Sequence, residues 1–169
     1  MSAKTFLQTC IYCACLLLAQ PVAGHVTLET TQFEAASYHK IVLRVPHGCQ
    51  GEPTTALRVQ IPEGMIAVKP QPKPGWTLRT ETHEYAGNYR LHGKTVNSGV
   101  AQIIWDNGLL PDDRFDEFSF MVYLTETLAE RETVYLPVLQ ACSEAVERWI
   151  ESDRNASHPA PALKVVPQP

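Results

Sequence analysis

The sequence predicts an all-β protein, a single antiparallel, immunoglobulin-like β-sandwich of about eight or nine short strands. Short apolar runs alternate with polar residues, as at Ile41, Leu43 and Val45, where every second side chain would face a core. Turn-forming residues recur between these runs, with 13 Pro and 9 Gly in a chain of 169 residues. No stretch has the longer period of an amphipathic helix. Many turns between short strands favour a sandwich over a parallel sheet.

Nine apolar runs provide the expected strands in order along the chain. Turn residues separate them, as in the segments 62–64 and 106–108, where Pro, Asn or Gly favours a reversal. The seventh run places Phe118, Phe120 and Val122 on one face, which is typical of a strand with one buried side. The expected strands cover residues 26–30, 38–45, 56–61, 65–68, 76–85, 99–105, 115–124, 133–139 and 146–150.

The composition restricts the class of partner. Apolar residues make up 44% of the chain and charged residues 19%, which is sufficient for a packed core. The formal net charge is −4 and no basic stripe is present, which argues against nucleic acid and anionic membranes as partners. After residue 152 the chain is polar and rich in proline. We therefore expect one domain over residues 25–152 and a flexible tail over residues 153–169.

Residues 1–24 have the features of a secretory signal peptide. Lys4 provides a positive charge, residues 11–19 are apolar, and small residues precede a cleavage site after Gly24. Cleavage after Ala23 is the alternative. Nine apolar residues are far fewer than the roughly 20 that span a bilayer. We therefore expect a periplasmic or secreted protein that has no membrane span after cleavage and starts at His25.

The five cysteines separate into two groups at this cleavage site. Cys10, Cys13 and Cys15 would leave with the signal peptide, so that Cys49 and Cys142 remain in an oxidising compartment. A disulfide between these two would close a long loop and contribute about 4 to 5 kcal/mol in the chain-entropy model. The alternative is a pair of thiols that binds a soft metal such as Cu(I).

His25 becomes a candidate metal ligand because processing would leave it at a free N-terminus. The α-amino group and the imidazole of one residue can then chelate a metal together. The amine loses its proton at modest cost, since its usual pKa is about 8. Nitrogen ligands of this kind suit Cu(II). On a strand, Glu29 would point to the same side as His25 and could add a carboxylate oxygen.

Several motifs together resemble the YcnI-like family of secreted copper-binding proteins over nearly the whole mature chain. The resemblance implies a β-sandwich that binds Cu(II) with one N-terminal His as a brace, completed by a nearby Glu and a late Trp. The implied role is copper acquisition or trafficking outside the cytoplasm, beside other copper chaperones and transporters. The segments that carry the resemblance are HVTLE (25–29), RVPHGC (44–49), TTALRVQIPEG (54–64), KPQPKPGW (69–76), FDEF (115–118), PVLQAC (137–142) and RW (148–149).

The family pattern transfers to this chain at two of its three positions. The brace corresponds to His25 and the late Trp to Trp149. The family commonly places a Glu seven positions after the His, and this chain has Gln32 there. Glu29 and Glu34 flank that position, and either could supply the carboxylate in its place.

Two other functions compete with a non-enzymatic copper-binding protein. A copper oxidase with a histidine brace would need a second imidazole, which His39, His47, His83 or His92 would have to supply. A sandwich that binds protein or glycan would instead present an exposed aromatic patch, with His25 incidental. We expect the binding protein, because no motif marks a second His and no catalytic residue stands out.

Overall fold

The structure is a computed structural model that describes residues 24–169, so the predicted signal peptide lies outside these residues except for Gly24. The described chain is built of strands, with one short 3₁₀ helix at Glu126–Glu130. No helix within residues 24–169 is long and apolar enough to cross a membrane. The strands are β1 (Thr27–Leu28), β2 (Gln32–Glu34), β3 (Ser37–Val45), β4 (Thr54–Gln60), β5 (Met65–Pro70), β6 (Thr77–Leu91), β7 (Lys94–Asp106), β8 (Asp116–Leu124), β9 (Val134–Tyr135), β10 (Val138–Cys142), β11 (Val146–Trp149) and β12 (Ala162–Val166).

Two larger sheets form the sandwich, and a small third sheet lies beside them. The first has the order β1-β3-β8-β5 and the second has the order β11-β10-β4-β7-β6. The third has the order β2-β12-β9, and its β2–β12 pair is parallel. The other strand pairs in the described chain are antiparallel. The predicted all-β antiparallel architecture is therefore confirmed, with more strands than expected because several are very short.

The core lies between the two larger sheets, and the predicted alternation builds it. Leu43 of β3 is opposite Phe118 of β8, and Ile41 is opposite Phe120, with all four side chains buried. Trp105 of the facing sheet packs edge-on against Phe118 at 5.4 Å between ring centroids. Each buried side chain of this size contributes about 1.5 to 3 kcal/mol relative to an exposed one. The edge strands β1 and β11 are joined to this packed core through their pairing with β3 and β10.

The predicted disulfide is present and joins two distant parts of the chain. Cys49 and Cys142 are bonded across a sequence separation of 93, with 6.0 Å between their Cα atoms. Cys142 is the last residue of β10, and Cys49 lies in the turn that follows β3. The bond therefore fixes that turn to the second sheet.

The expected flexible tail is wrong for its last part, because residues 162–166 form strand β12. Leu163 and Val165 are buried, at 1% and 2% exposure, on one face of this strand. The Lys164 backbone N–H donates to the carbonyl oxygen of Thr31 at 2.8 Å. The alternation is only five residues long and lies between prolines. That composition resembles a linker, although the segment fills a gap between β2 and β9.

The strands β6 and β7 form a hairpin that is longer than the sequence predicted. The expected strands ended at residue 85 and resumed at residue 99, whereas the pairing continues to Leu91 and Lys94. The turn consists of His92 and Gly93, both with positive φ, as a two-residue hairpin turn of this type requires. Most side chains of the outer part are exposed, and Tyr85, Tyr89 and Leu91 of β6 are only half-buried. The outer part therefore lacks the alternation by which a half-buried strand is recognised.

Candidate metal centre

His25 is held at the edge of the first sheet by the residues that follow it. Val26 is buried, and β1 pairs with β3 so that Thr27 lies opposite Arg44. The His25 imidazole lies against the indole of Trp149, with 5.5 Å between ring centroids and 57° between ring planes. The structure therefore brings together the two residues that correspond to the brace and the late Trp of the family pattern.

A buried glutamine fixes the orientation of Trp149. The indole Nε1–H donates to Gln140 Oε1 at 2.9 Å. The amide nitrogen of Gln140 donates to the carbonyl oxygen of His47 and to Thr54 Oγ1, both at 2.8 Å. Trp149 is 3% exposed and Gln140 is 1% exposed. Because an indole can only donate, the network also determines which end of the Gln140 amide faces Trp149.

Sequence reasoning did not identify Gln140, although one signal was present. It occupies an inward position on β10, between the buried residues Val138 and Cys142. A polar side chain in the middle of such an alternation must find hydrogen-bond partners inside the protein, because an unpaired buried polar group is costly. The pattern could have marked Gln140 as part of a network, but it could not have named Trp149 as its partner.

The carboxylate of Glu29 is already engaged by a basic residue. Its Oε1 accepts from Arg44 Nη2 at 2.7 Å, and the Arg44 Nε–H donates to Glu117 at 3.0 Å. The hydrogen bond to Glu117, together with attraction to both carboxylates, raises the pKa of Arg44 above its usual value. Glu29 is therefore held by Arg44 through one oxygen, and it is not among the residues that line the pocket beside His25.

Gln32 and Glu34 lie on the same exposed face of β2, with the buried Phe33 between them on the other face. Gln32 is opposite Lys164 of β12, and Glu34 is opposite Val166. Of the two polar residues, Gln32 lines the pocket beside His25. The position at which the family commonly has a Glu therefore lines the pocket beside His25, but in this chain that residue is Gln32, a neutral amide.

The pocket beside His25 has a volume of about 480 Å³. Its lining includes Thr27, Gln32 and two basic residues, Arg154 and Lys164. No Asp or Glu of the described chain is among its lining residues. Within residues 24–169, no group of three or more His, Cys, Asp or Glu side chains is placed to hold a metal ion. A brace needs fewer side chains, because one terminal His supplies two nitrogens.

His158 is a second imidazole against Trp149, and the sequence had assigned it to the flexible tail. The two ring centroids are 5.1 Å apart. His158 Nε2 lies 2.8 Å from Glu147 Oε2, and its backbone N–H donates to Glu151 at 3.0 Å. The segment before β12 is thus bound to β11, and Trp149 contacts an imidazole from each end of the domain.

His47 lies beside the residue that precedes His25. The Gly24 backbone N–H donates to His47 Nε2 at 3.0 Å, and His47 Nδ1 lies 2.6 Å from the carbonyl oxygen of Gly48. A Cβ atom at Gly24 would come within 2.8 Å of the Pro46 side chain, so any other residue would require this turn to shift. The sequence had identified His47 as one of four possible second imidazoles.

Two of the other three histidines on that shortlist are engaged elsewhere. His39 Nε2 lies 2.7 Å from Ser37 Oγ, and His92 Nε2 lies 3.2 Å from the hydroxyl of Tyr38. His83 pairs with Gly99 in the β6–β7 hairpin.

With this geometry in view, the chain can be assigned to a family. It belongs to the family of the domain of unknown function DUF1775, whose model matches residues 25–165. The resemblance to the YcnI-like family is thereby confirmed. The match begins at His25 and extends into β12.

Two similar proteins are informative. The chain is 24% identical over 108 residues to the copper-binding protein CutI of Bacillus subtilis (strain 168), a match that covers 63% of this chain and 46% of that relative. The chain therefore spans about half the length of CutI.

The second is an uncharacterized protein from Nocardia farcinica whose crystal structure reveals an immunoglobulin-like fold. It is 26% identical, with a TM-score of 0.61, over 84% of this chain and 98% of that one. The predicted immunoglobulin-like sandwich is confirmed.

Proposed function

We propose that the mature chain starts at His25 and binds one Cu(II) ion, as a secreted or periplasmic protein of copper acquisition or homeostasis. One observation carries the proposal. His25 follows the predicted cleavage site, begins the family match, and lies with its ring against the buried indole of Trp149. The name of the relative CutI supports copper as the metal.

The donor atoms of His25 fit this metal. Its imidazole nitrogens make no hydrogen bond within the described chain, so the ring is free to bind. Cleavage after Gly24 would add the α-amino group, and two nitrogen donors on one residue favour Cu(II) over harder cations. Trp149 would cap the ring on one side and limit its rotation, since its own indole N–H is fixed by Gln140.

A carboxylate from Glu29 or Glu34 would complete such a site only after rearrangement. Neither Glu29 nor Glu34 lines the pocket beside His25, and Glu29 Oε1 is paired with Arg44. The partners of the protein would be the copper ion and the chaperones or transporters that deliver or receive it.

The deciding experiment compares two N-termini of the same domain. Both proteins start at His25, and in the second the α-amino group of His25 is acetylated, which removes it as a ligand. Titration with Cu(II), followed by its d–d absorption band and by EPR, should show one tight site in the first protein and at least about 100-fold weaker binding in the second. Equal binding by both would overturn the proposal.

We expect the copper-loaded protein to be a carrier without catalytic activity. Oxygen consumption with ascorbate should not exceed that of the same copper held by an inert chelator. Turnover that depends on His25 would instead favour a copper oxidase.

A further inference from the structure

The hydrogen bonds of His47 define its tautomer. Because the Gly24 N–H is a donor, Nε2 of His47 must carry the lone pair. Nδ1 must then carry the proton, which it donates to the carbonyl oxygen of Gly48 at 2.6 Å. Imidazoles that bind metals commonly show this arrangement, in which one nitrogen donates to a backbone carbonyl and the other is left free as a ligand.

In the uncleaved chain, the Gly24 N–H occupies the position in front of this lone pair. A hydrogen-bond donor and a metal ion approach an imidazole nitrogen from the same direction, so the N–H stands where a cation would bind. Cleavage after Gly24 removes this group. The same cut would therefore create the free amine of His25 and uncover Nε2 of His47.

The distance between these two nitrogens is bounded by covalent geometry. Backbone bond lengths place the nitrogens of consecutive residues at most about 3.7 Å apart. Since the nitrogen of Gly24 is 3.0 Å from His47 Nε2, the nitrogen of His25 lies within about 7 Å of it. Metal–imidazole bonds are about 2.0 to 2.1 Å long, so one ion can bridge nitrogens up to about 4 Å apart. After cleavage His25 would be the terminal residue, so its amine could move the remaining distance towards His47 Nε2.

The turn that carries His47 is rigid and is tied to the same network as Trp149. Gln140 donates to the His47 carbonyl oxygen, and Cys49, two residues later, is bonded to Cys142. Both attachments come from β10. The Gln140 side chain also accepts from Trp149. One strand therefore positions the turn bearing His47 and the indole that packs on His25.

Two observations favour a third nitrogen ligand for copper in this chain. The family's usual Glu position holds Gln32, and the Glu29 carboxylate is paired with Arg44. A neutral imidazole that is already oriented needs no ion pair to be broken. We propose that His47 Nε2 is a third nitrogen ligand of the copper bound by His25, and that signal cleavage assembles this site. The inference rests on the proposed function.

Counting the imidazoles on the metal tests this assignment. The protein that starts at His25 is loaded with less than one equivalent of Cu(II) and examined by three-pulse electron spin-echo envelope modulation. This method detects equatorial imidazoles through their remote nitrogens. We expect two imidazoles in the wild type and one in His47→Gln, with an affinity for Cu(II) at least about 10-fold weaker. The matched control His92→Gln should retain two imidazoles and the wild-type affinity.

The other imidazole near Trp149 provides the competing outcome. If His158→Gln reduces the count to one while His47→Gln does not, the inference is overturned. If His47→Gln fails to fold, His158→Gln alone decides the matter: a count of two imidazoles supports His47, and a count of one overturns the inference. Tight binding by the wild type with a single imidazole overturns the inference and leaves the proposed function in place. Absence of tight binding by the wild type overturns both.

Discussion

Two of the contacts between an imidazole and an aromatic ring in residues 24–169 differ in their surroundings. His25 lies against Trp149, which is buried and hydrogen-bonded to Gln140. His92, in the turn of the β6–β7 hairpin, stacks on Tyr38 at 6.0 Å, and Tyr38 is 45% exposed. In the second contact the Tyr38 hydroxyl is hydrogen-bonded to Nε2 of His92. In the first contact the aromatic ring is fixed from behind and the imidazole nitrogens remain free.

The comparison suggests what separates a candidate ligand from a surface contact. Ring proximity is similar in both places, but only at Trp149 does a buried network hold the aromatic partner. A rigid support of this kind holds the site in its binding geometry, so that little conformational entropy is lost when the metal binds. The predictions below test whether the two contacts differ in this way.

The largest expected difference is in copper affinity. Replacement His25→Ala removes the imidazole of the brace and should weaken Cu(II) binding on the order of 1,000-fold, or about 4 kcal/mol. The replacement His92→Ala should leave the affinity unchanged. Competition with a chelator of known affinity measures both. A similar loss in the two variants would remove the distinction between the contacts.

The next effect concerns the support behind Trp149. Replacement Gln140→Leu leaves the Trp149 indole N–H without a partner, and it leaves Thr54 Oγ1 and the His47 carbonyl oxygen with no closer partner than their own long hydrogen bond of 3.5 Å. The free energy of unfolding should fall by about 3 kcal/mol, since each unpaired buried group costs about 1 to 3 kcal/mol. The variant Tyr38→Phe, at the exposed contact, should change it by less than about 0.5 kcal/mol. Urea denaturation monitored by tryptophan fluorescence provides the measurement.

The last strand should also contribute to the stability of the region near His25. Truncation of the buried Leu163→Ala should cost about 2.5 kcal/mol, as core truncations do. The exposed control Leu109→Ala should cost almost nothing. If both variants unfold at the wild-type urea concentration, β12 does not pack as a core strand.

The smallest effect, and one of opposite sign, is expected in the hairpin. The Tyr85 hydroxyl is buried without a hydrogen-bond partner in the described chain, so Tyr85→Phe should leave stability unchanged or raise it by up to about 1 kcal/mol. Burial, and then the charge of Glu63, raise the pKa of Tyr85 above 10. The folded state therefore retains this proton more strongly than the unfolded state.

The direction of the pH dependence follows from that raised pKa. The contribution of Tyr85 is fully present below the unfolded pKa of about 10 and is lost as the pH rises through the folded pKa. Between pH 9 and pH 11 the wild type should lose more stability than Tyr85→Phe, as measured by urea denaturation at each pH. An identical pH profile would show that the hydroxyl is solvated.

The sequence predicted those parts of the fold in which a single strand carries its own signal. The alternation of Ile41, Leu43 and Val45 identified β3, and two remaining cysteines identified the disulfide. The strand β12 was missed because five residues between prolines resemble a linker. The outer half of the β6–β7 hairpin was missed because it has no buried face.

The sequence predicted the residues of the candidate site better than it predicted the contacts between them. The sequence indicated His25 and Trp149, which the structure places side by side. It could not show that Arg44 engages Glu29, because the pairing of β1 with β3 brings those two together. Nor could it distinguish His47 from the other histidines. The distinguishing feature is a hydrogen bond between residues 23 positions apart.

The sequence by itself determined the β-sandwich class, the disulfide and the family, and it predicted a His next to a cleavage site. These follow from local periodicity and from motifs that depend only on neighbouring residues. The tertiary structure decided which of those groups meet. Gln140 links Trp149 to the turn of His47 across separate strands, and β12 closes the pocket from the far end of the chain. Contacts of this kind depend on strand pairing and packing, which a one-dimensional pattern does not specify.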